Sequence, residues 1–263
     1  MKIIIIRIFM KIKLILLSCN IWIVMNLGAH EFWVDAKKKN IIEPKIGYGE
    51  IYPHPEKIKE NRLDLFEPLK LLGNDTNLTL TKNSKVNYIY DLNKKLKNGS
   101  YILSGTYKPT YWTKDEEGKW FKGKAKNQID TKAVFCQQSH MEAKNIFSIG
   151  NIDSEIIYKP IGHTLEIVPL SNPKDFKSLK PFKVKVFFNN KPLSNTVVKA
   201  TLEGYLEDKY AYYGETNEKG ITEILPLRGG KWLVKVVLEK ELKDKNICDK
   251  VTNVATLSFE IEE

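Results

Sequence analysis

Val184, Val186 and Phe188 alternate with Lys183, Lys185 and Phe187, the period-two pattern of a strand with one buried face. The alternation returns in Trp232, Val234, Val236 and Leu238, after the break at Gly229-Gly230. Val197 to Leu202, Tyr210 to Tyr213 and Ala255 to Ile261 supply further β-rich runs. Turn chemistry separates them, at Asn189-Asn190-Lys191-Pro192, at Gly204 and at Thr216-Asn217-Glu218-Lys219-Gly220. Short strands punctuated in this way predict an Ig-like or prealbumin-like antiparallel β-sandwich over residues 159–263.

Residues 30–158 are less regular, but β-branched and aromatic residues dominate short runs such as Tyr88-Ile89-Tyr90 and Tyr101-Ile102-Leu103. One stretch, Lys132 to Ile149, reads as a helix with Val134, Phe135, Ile146 and Phe147 as its buried side. The expected fold is therefore mainly β: an N-terminal β-rich domain with one helix over 30–158, then the sandwich. The boundary falls near Tyr158-Lys159-Pro160.

The first 29 residues have the order of a secretory signal peptide: Lys2, Arg7, Lys11 and Lys13 with no acid, an apolar run from Leu14 to Leu27, and the small pair Gly28-Ala29. The run after Lys13 is shorter than the about 20 apolar residues that a spanning helix needs, so export to the periplasm without stable membrane insertion is expected. A lipoprotein anchored through Cys19, in Leu16-Leu17-Ser18-Cys19, is the alternative.

Loss of residues 1–29 from a chain of 263 with a formal charge of +10 would leave 234 residues at +6. The lysines are dispersed, without the basic and aromatic clusters of a nucleic-acid surface, so no nucleic-acid partner is expected. Two cysteines would remain, Cys136 and Cys248, and an oxidising compartment permits their pairing without establishing it.

The four histidines are His30, His54, His140 and His163. Cleavage after Ala29 would make His30 the first residue, and its α-amine and imidazole together close a chelate ring on a divalent metal. An α-amine has a reference pKa near 8, about two units below lysine, so losing its proton to a metal near neutral pH costs little. The bland alternative is a solvated terminus, against which Phe32-Trp33-Val34 argues by pulling the segment into the fold. His54 lies in Tyr52-Pro53-His54-Pro55, a stiff loop suited to a ligand or to an idle exposed ring. His163 stands at the expected junction of the domains, where clefts form. His140 follows Cys136 by four residues on the expected helix, and a structural role is the simpler reading there. Neutral imidazoles with scarce thiolates favour nickel, copper, zinc or cobalt.

No H-E-x-x-H, phosphate loop or G-x-S-x-G motif occurs, and no enzyme is expected. Asp75-Thr76-Asn77-Leu78-Thr79 fits the extended acceptor for bacterial N-glycosylation, a short motif that also arises by chance. The aromatic residues Tyr107, Tyr111, Trp112, Trp120 and Phe121 fit either a sugar-binding surface or a β-domain core.

The segments "AHEFWVDA" after the leader, "RLDLFEPLKL" at 62–71, "IGHTLEIVPLSNP" at 161–173, "NNKPLSNTVVKAT" at 189–201 and "TNEKG" before "GGKWLV" resemble an exported family of unknown-function domains described as the periplasmic component of cobalt/nickel transport. The resemblance spans nearly the whole chain after the leader. It implies a periplasmic accessory to nickel or cobalt uptake that binds the ion for an inner-membrane metal permease; with the donor chemistry, a divalent transition metal is expected, nickel first and cobalt or copper as alternatives. It supports His30 and His163 as metal ligands, His54 less directly and His140 less again. The rival class is an exported carbohydrate- or surface-interaction protein without a metal role.

Overall fold

The computed structural model describes residues 30–38, 41–86, 88–205 and 209–262. The leader, with Cys19 and the cleavage point after Ala29, lies outside the described residues. The described residues begin with β1 (Glu31–Lys38), β2 (Ile41–Gly49), β3 (Lys70–Gly73), β4 (Thr76–Thr79), β5 (Thr81–Lys82) and β6 (Tyr90–Asp91). Next come β7 (Gly99–Asp115), β8 (Trp120–Lys122), β9 (Ala133–Ile149), β10 (Leu165–Pro169), β11 (Phe182–Phe188) and β12 (Lys191–Pro192). The last are β13 (Val197–Leu202), β14 (Tyr212–Glu215), β15 (Ile221–Ile224), β16 (Gly230–Glu241) and β17 (Lys250–Ile261). The runs expected near 184–188, 197–202, 232–238 and 255–261 all lie in strands, and the mainly β, sandwich-like class holds.

A nine-stranded sheet dominates, in the order β14-β13-β16-β17-β9-β7-β3-β4 with β8 paired to β7. Its ladders are antiparallel except one: β17 runs parallel to β9, from Lys250 opposite Gln137 to Ser258 opposite Asn145. That pairing carries a single sheet across residues 158 and 159. One face is covered by β10, β11 and β15, where Leu165, Ile167, Val184 and Val186 meet Trp232, Val234, Ala255 and Leu257. The opposite face is covered by the β1–β2 hairpin, where Phe32, Val34 and Ile46 meet Leu103, Tyr107, Met141 and Ala143. Each large side chain buried in these cores contributes about 1.5–3 kcal/mol.

The helix expected over Lys132 to Ile149 is instead strand β9, paired with β7 on one side and β17 on the other. Ile146 and Phe147 are buried as expected, but on opposite faces, and Val134 is 53% exposed. Ala, Gln, Met, Glu and Lys favour a helix locally, and a strand covered on both faces loses the simple polar–apolar alternation. Two flanking ladders override the local preference.

Where β1 crosses the sheet, polar side chains replace a ladder. The Thr256 hydroxyl donates to the Phe32 carbonyl at 2.8 Å and the Ser258 hydroxyl to that of Val34 at 2.6 Å. Ala36 N–H donates to Asn145 Oδ1 at 3.2 Å, while the Asn145 amide donates to the Ser258 carbonyl at 3.1 Å. Glycine permits the close approach: a Cβ at Gly105 would lie 2.7 Å from Val34, and one at Gly47 1.9 Å from the Trp33 indole.

Cys136 and Cys248 form a disulfide, with Cα atoms 4.9 Å apart. It ties the start of β9 to the segment just before β17, beside Asp249, whose carboxylate accepts the Cys136 N–H at 2.7 Å. The sequence leaves this pairing open; the β9–β17 register closes it. With the cysteines 112 positions apart, the Cys136→Ala/Cys248→Ala double variant is expected to lose about 2–5 kcal/mol of stability. Urea unfolding measures this, and an unchanged midpoint would contradict it.

Candidate metal centre

β1 and β2 pair with Glu31 opposite Gly49, so the residues just beyond that rung, His30 and Glu50, face each other. His30 Nδ1 lies 2.5 Å from Glu50 Oε1. After Glu50 the chain turns through Ile51, a cis Tyr52–Pro53 peptide and His54, whose N–H donates to the Ile51 carbonyl at 2.7 Å. It returns so that Glu56 N–H donates to the Tyr48 carbonyl at 2.9 Å, and Glu56 Oε2 comes 3.7 Å from His30 Nε2. The Glu50 N–H donates to Glu56 Oε1 at 3.3 Å, tying the two acids together. The imidazole stands edge-on to Tyr48, with ring centroids 4.7 Å apart.

One donor atom each from His30, Glu50 and Glu56 lies within 4.8 Å of the others, the one such group among the described residues. An imidazole with two carboxylates is a nitrogen–oxygen donor set that fits Co, Ni, Cu or Zn. The side chains of Glu50 and Glu56 are 41% and 53% exposed, which leaves the cluster open to solvent on the acidic side. Glu31 is not part of it: its carboxylate accepts from Lys235 Nζ and the Tyr210 hydroxyl, each at 2.7 Å.

His54 sits in the same loop with its side chain exposed, but it is not one of the three converging groups. His163 and His140 lie across the sheet from His30. Asn145 faces β1, through Ala36, and its neighbour Lys144 faces β10, through an ion pair with Glu166 at 2.8 Å; adjacent strand residues point to opposite faces. His140, two and four positions before Glu142 and Lys144, shares their side. His30 and His163 are therefore not brought together. Glu50 and Glu56 do not stand out in the sequence as ligands beside the histidines and cysteines; the hairpin register brings residue 50 opposite residue 30.

On the β10 side the "GHTLE" segment folds around two buried carboxylates. Glu166 accepts N–H bonds from Ile161, Gly162 and His163 at 2.8–3.3 Å, besides the Lys144 ammonium. Glu142 accepts from Thr164 and Leu165 at 3.0 and 3.1 Å. Both members of the Lys144–Glu166 pair are 1% exposed, so breaking it leaves an unpaired buried charge. His163 Nε2 lies 2.9 Å from the Ser104 hydroxyl. Burial, reinforced by the Lys144 charge and opposed by Glu166, pushes its pKa down to about 4. Burial also lowers that of His140, against a hydrogen bond with Asn253 and the charge of Glu67. Burial raises the Glu142 carboxyl to about 7, against its two N–H donors.

The aromatic residues singled out in the sequence do not share one surface. Tyr107 is buried in the core beneath β1 and its hydroxyl accepts the Trp112 indole N–H at 2.9 Å, whereas Trp120 packs edge-on to Phe135.

The buried groups give opposite pH slopes. His163 takes up its proton near 6.5 when unfolded and near 4 when folded, so its contribution falls as pH drops through that window. Glu142 holds its proton to about 7 when folded against 4.5 when unfolded, so its contribution falls as pH rises between those values. The His163→Gln variant is therefore expected to gain stability relative to the parent as pH falls below 6.5, and Glu142→Gln as pH rises towards 7. Urea midpoints across this range check both, and profiles parallel to that of the parent would refute the assignment.

No curated protein sequence matches the chain. Among solved structures, the D0–D1 domain of intimin aligns with a TM-score of 0.23 and 16% identity, covering 87% of this chain and 97% of that one. The D00–D0 domain of intimin aligns with a TM-score of 0.21 and 9% identity, covering 89% and 100%. The family model that matches begins three residues before His30 and ends inside β16, so it takes in the whole His30–Glu50–Glu56 cluster. The chain belongs to the family described as a domain of unknown function, DUF4198, whose model spans residues 27–240.

Proposed function

We propose that the protein is an exported, periplasmic metal-binding module that captures a divalent transition metal at His30, Glu50 and Glu56 for an inner-membrane metal permease. The convergence of these three side chains at the expected cleavage point carries the reading. Cleavage after Ala29 frees the His30 α-amine, and amine and imidazole together chelate the ion while the two carboxylates neutralise its charge. The donors are nitrogen and oxygen, which suit nickel and cobalt as cargo; copper binds such sets more tightly still, and the nickel preference rests on the family resemblance. The exposed carboxylates leave the ion open to exchange, as a carrier needs and a catalyst that must hold its metal does not. The Cys136–Cys248 disulfide supports an oxidising compartment. Among the described residues no helix is long and apolar enough to cross a membrane.

Binding is expected to need the cleaved terminus. In calorimetric titrations of the processed protein with Ni(II), Co(II), Cu(II) and Zn(II), His30→Ala abolishes binding. One extra alanine before His30, Glu50→Gln or Glu56→Gln each weakens it by roughly tenfold or more, the scale of losing one ligand or its support. His163→Ala, on the other face of the sheet, leaves it unchanged. Affinity that is absent, or indifferent to both the extension and His30→Ala, sinks the proposal.

A further inference from the structure

The β3–β4 hairpin forms one edge of the nine-stranded sheet: β4 pairs with β3 on one side and ends the strand order on the other. Its tip is the two-residue turn Asn74-Asp75, closed by the Gly73–Thr76 pair. Three N-x-Ser/Thr triplets occur in the described residues, at Asn74, Asn77 and Asn98. They differ in chemistry and setting. Asn77 alone has an acid two residues before it, Asp75, as the extended bacterial acceptor requires; Asn74 and Asn98 have Leu72 and Leu96 there. Asn77 and Thr79 are both exposed and, two apart on a strand, point to the same side. At Asn98 the partner hydroxyl is locked away: Ser100 is fully buried, 2.9 Å from the Ser148 hydroxyl, and accepts from the Asn172 amide at 2.8 Å.

We propose that Asn77 is an N-glycosylation site, modified by a bacterial oligosaccharyltransferase that reads Asp75, Asn77 and Thr79 from the exposed edge of the sheet. The donor is an oligosaccharide linked to a polyprenyl diphosphate. A bond forms between Asn77 Nδ2 and the anomeric carbon of the first sugar while the bond from that carbon to the diphosphate oxygen breaks. The lipid diphosphate leaves with the electron pair, and the amide gives up one proton. A glycan at this position would cover the open side of an edge strand, where unpaired backbone groups otherwise invite pairing with a second chain.

The modification rests on the export part of the proposed function and not on metal binding. The test uses the full chain behind a heterologous export leader, in a periplasm that holds a bacterial oligosaccharyltransferase, its oligosaccharide–lipid donor and a known acceptor protein as control. Intact mass is expected to rise by one glycan, with peptide mapping placing it on Asn77. Asn77→Gln, Thr79→Ala and Asp75→Ala should each abolish it, while Asn74→Gln and Asn98→Gln leave it in place. An unmodified chain beside a modified control overturns the proposal, as does a glycan mapped to Asn74 or Asn98, or one that survives Asp75→Ala. Nickel titration of Asn77→Gln, matching the parent either way, keeps this outcome separate from that of the metal reading.

Discussion

The parallel ladder between β9 and β17 is the constraint on which the rest of the molecule depends. It joins a strand from the middle of the chain to the last strand, and both faces of the joined pair are covered. At one end the Cys136–Cys248 disulfide holds the two strands together. Near the other end, Lys144 reaches from β9 to Glu166 of β10, which fastens the layer of β10 and β11 to the same strand. A parallel pair has no tight turn to nucleate it, and the disulfide offsets part of the entropy of closing the long loop between its strands.

The same pair positions the candidate metal centre. β1 lies across β9 and β17 and is held there by the hydroxyls of Thr256 and Ser258 and the amide of Asn145, all buried and all partnered. Those bonds fix the start of β1, hence His30, before the hairpin register brings Glu50 opposite it. Phe32 and Val34 bury one side of β1 while Trp33 packs against Tyr52 and Leu233 on the other. A segment anchored on both sides can offer a ligand in a constant place, which a frayed one cannot. The buried "GHTLE" cluster on the far face plays a structural part instead, because its carboxylates satisfy the N–H groups of a loop that would otherwise lack partners.

Strand β11 is legible because it buries one face and so alternates: Val184 and Val186 turn inward while Lys183 turns to solvent. β9 is not legible because both its faces are covered and both carry polar as well as apolar residues, so it lacks alternation, and its residues favour a helix locally. At the centre, His30 was legible as the first residue after a leader-like segment. Glu50 and Glu56 were not, since nothing in the local sequence separates them from the other acids of a surface loop.

By itself the sequence determined the mainly β class, most of the strands after residue 181, and His30 as a candidate ligand, because alternation, turn chemistry and the leader pattern are local properties. Tertiary structure decided the conformation of β9, the pairing of Cys136 with Cys248, the separation of His163 from His30, and the choice of Glu50 and Glu56 as its companions. Each of these depends on which strands lie side by side and which face a residue takes, and a register between distant segments is set by packing both faces of a sheet at once.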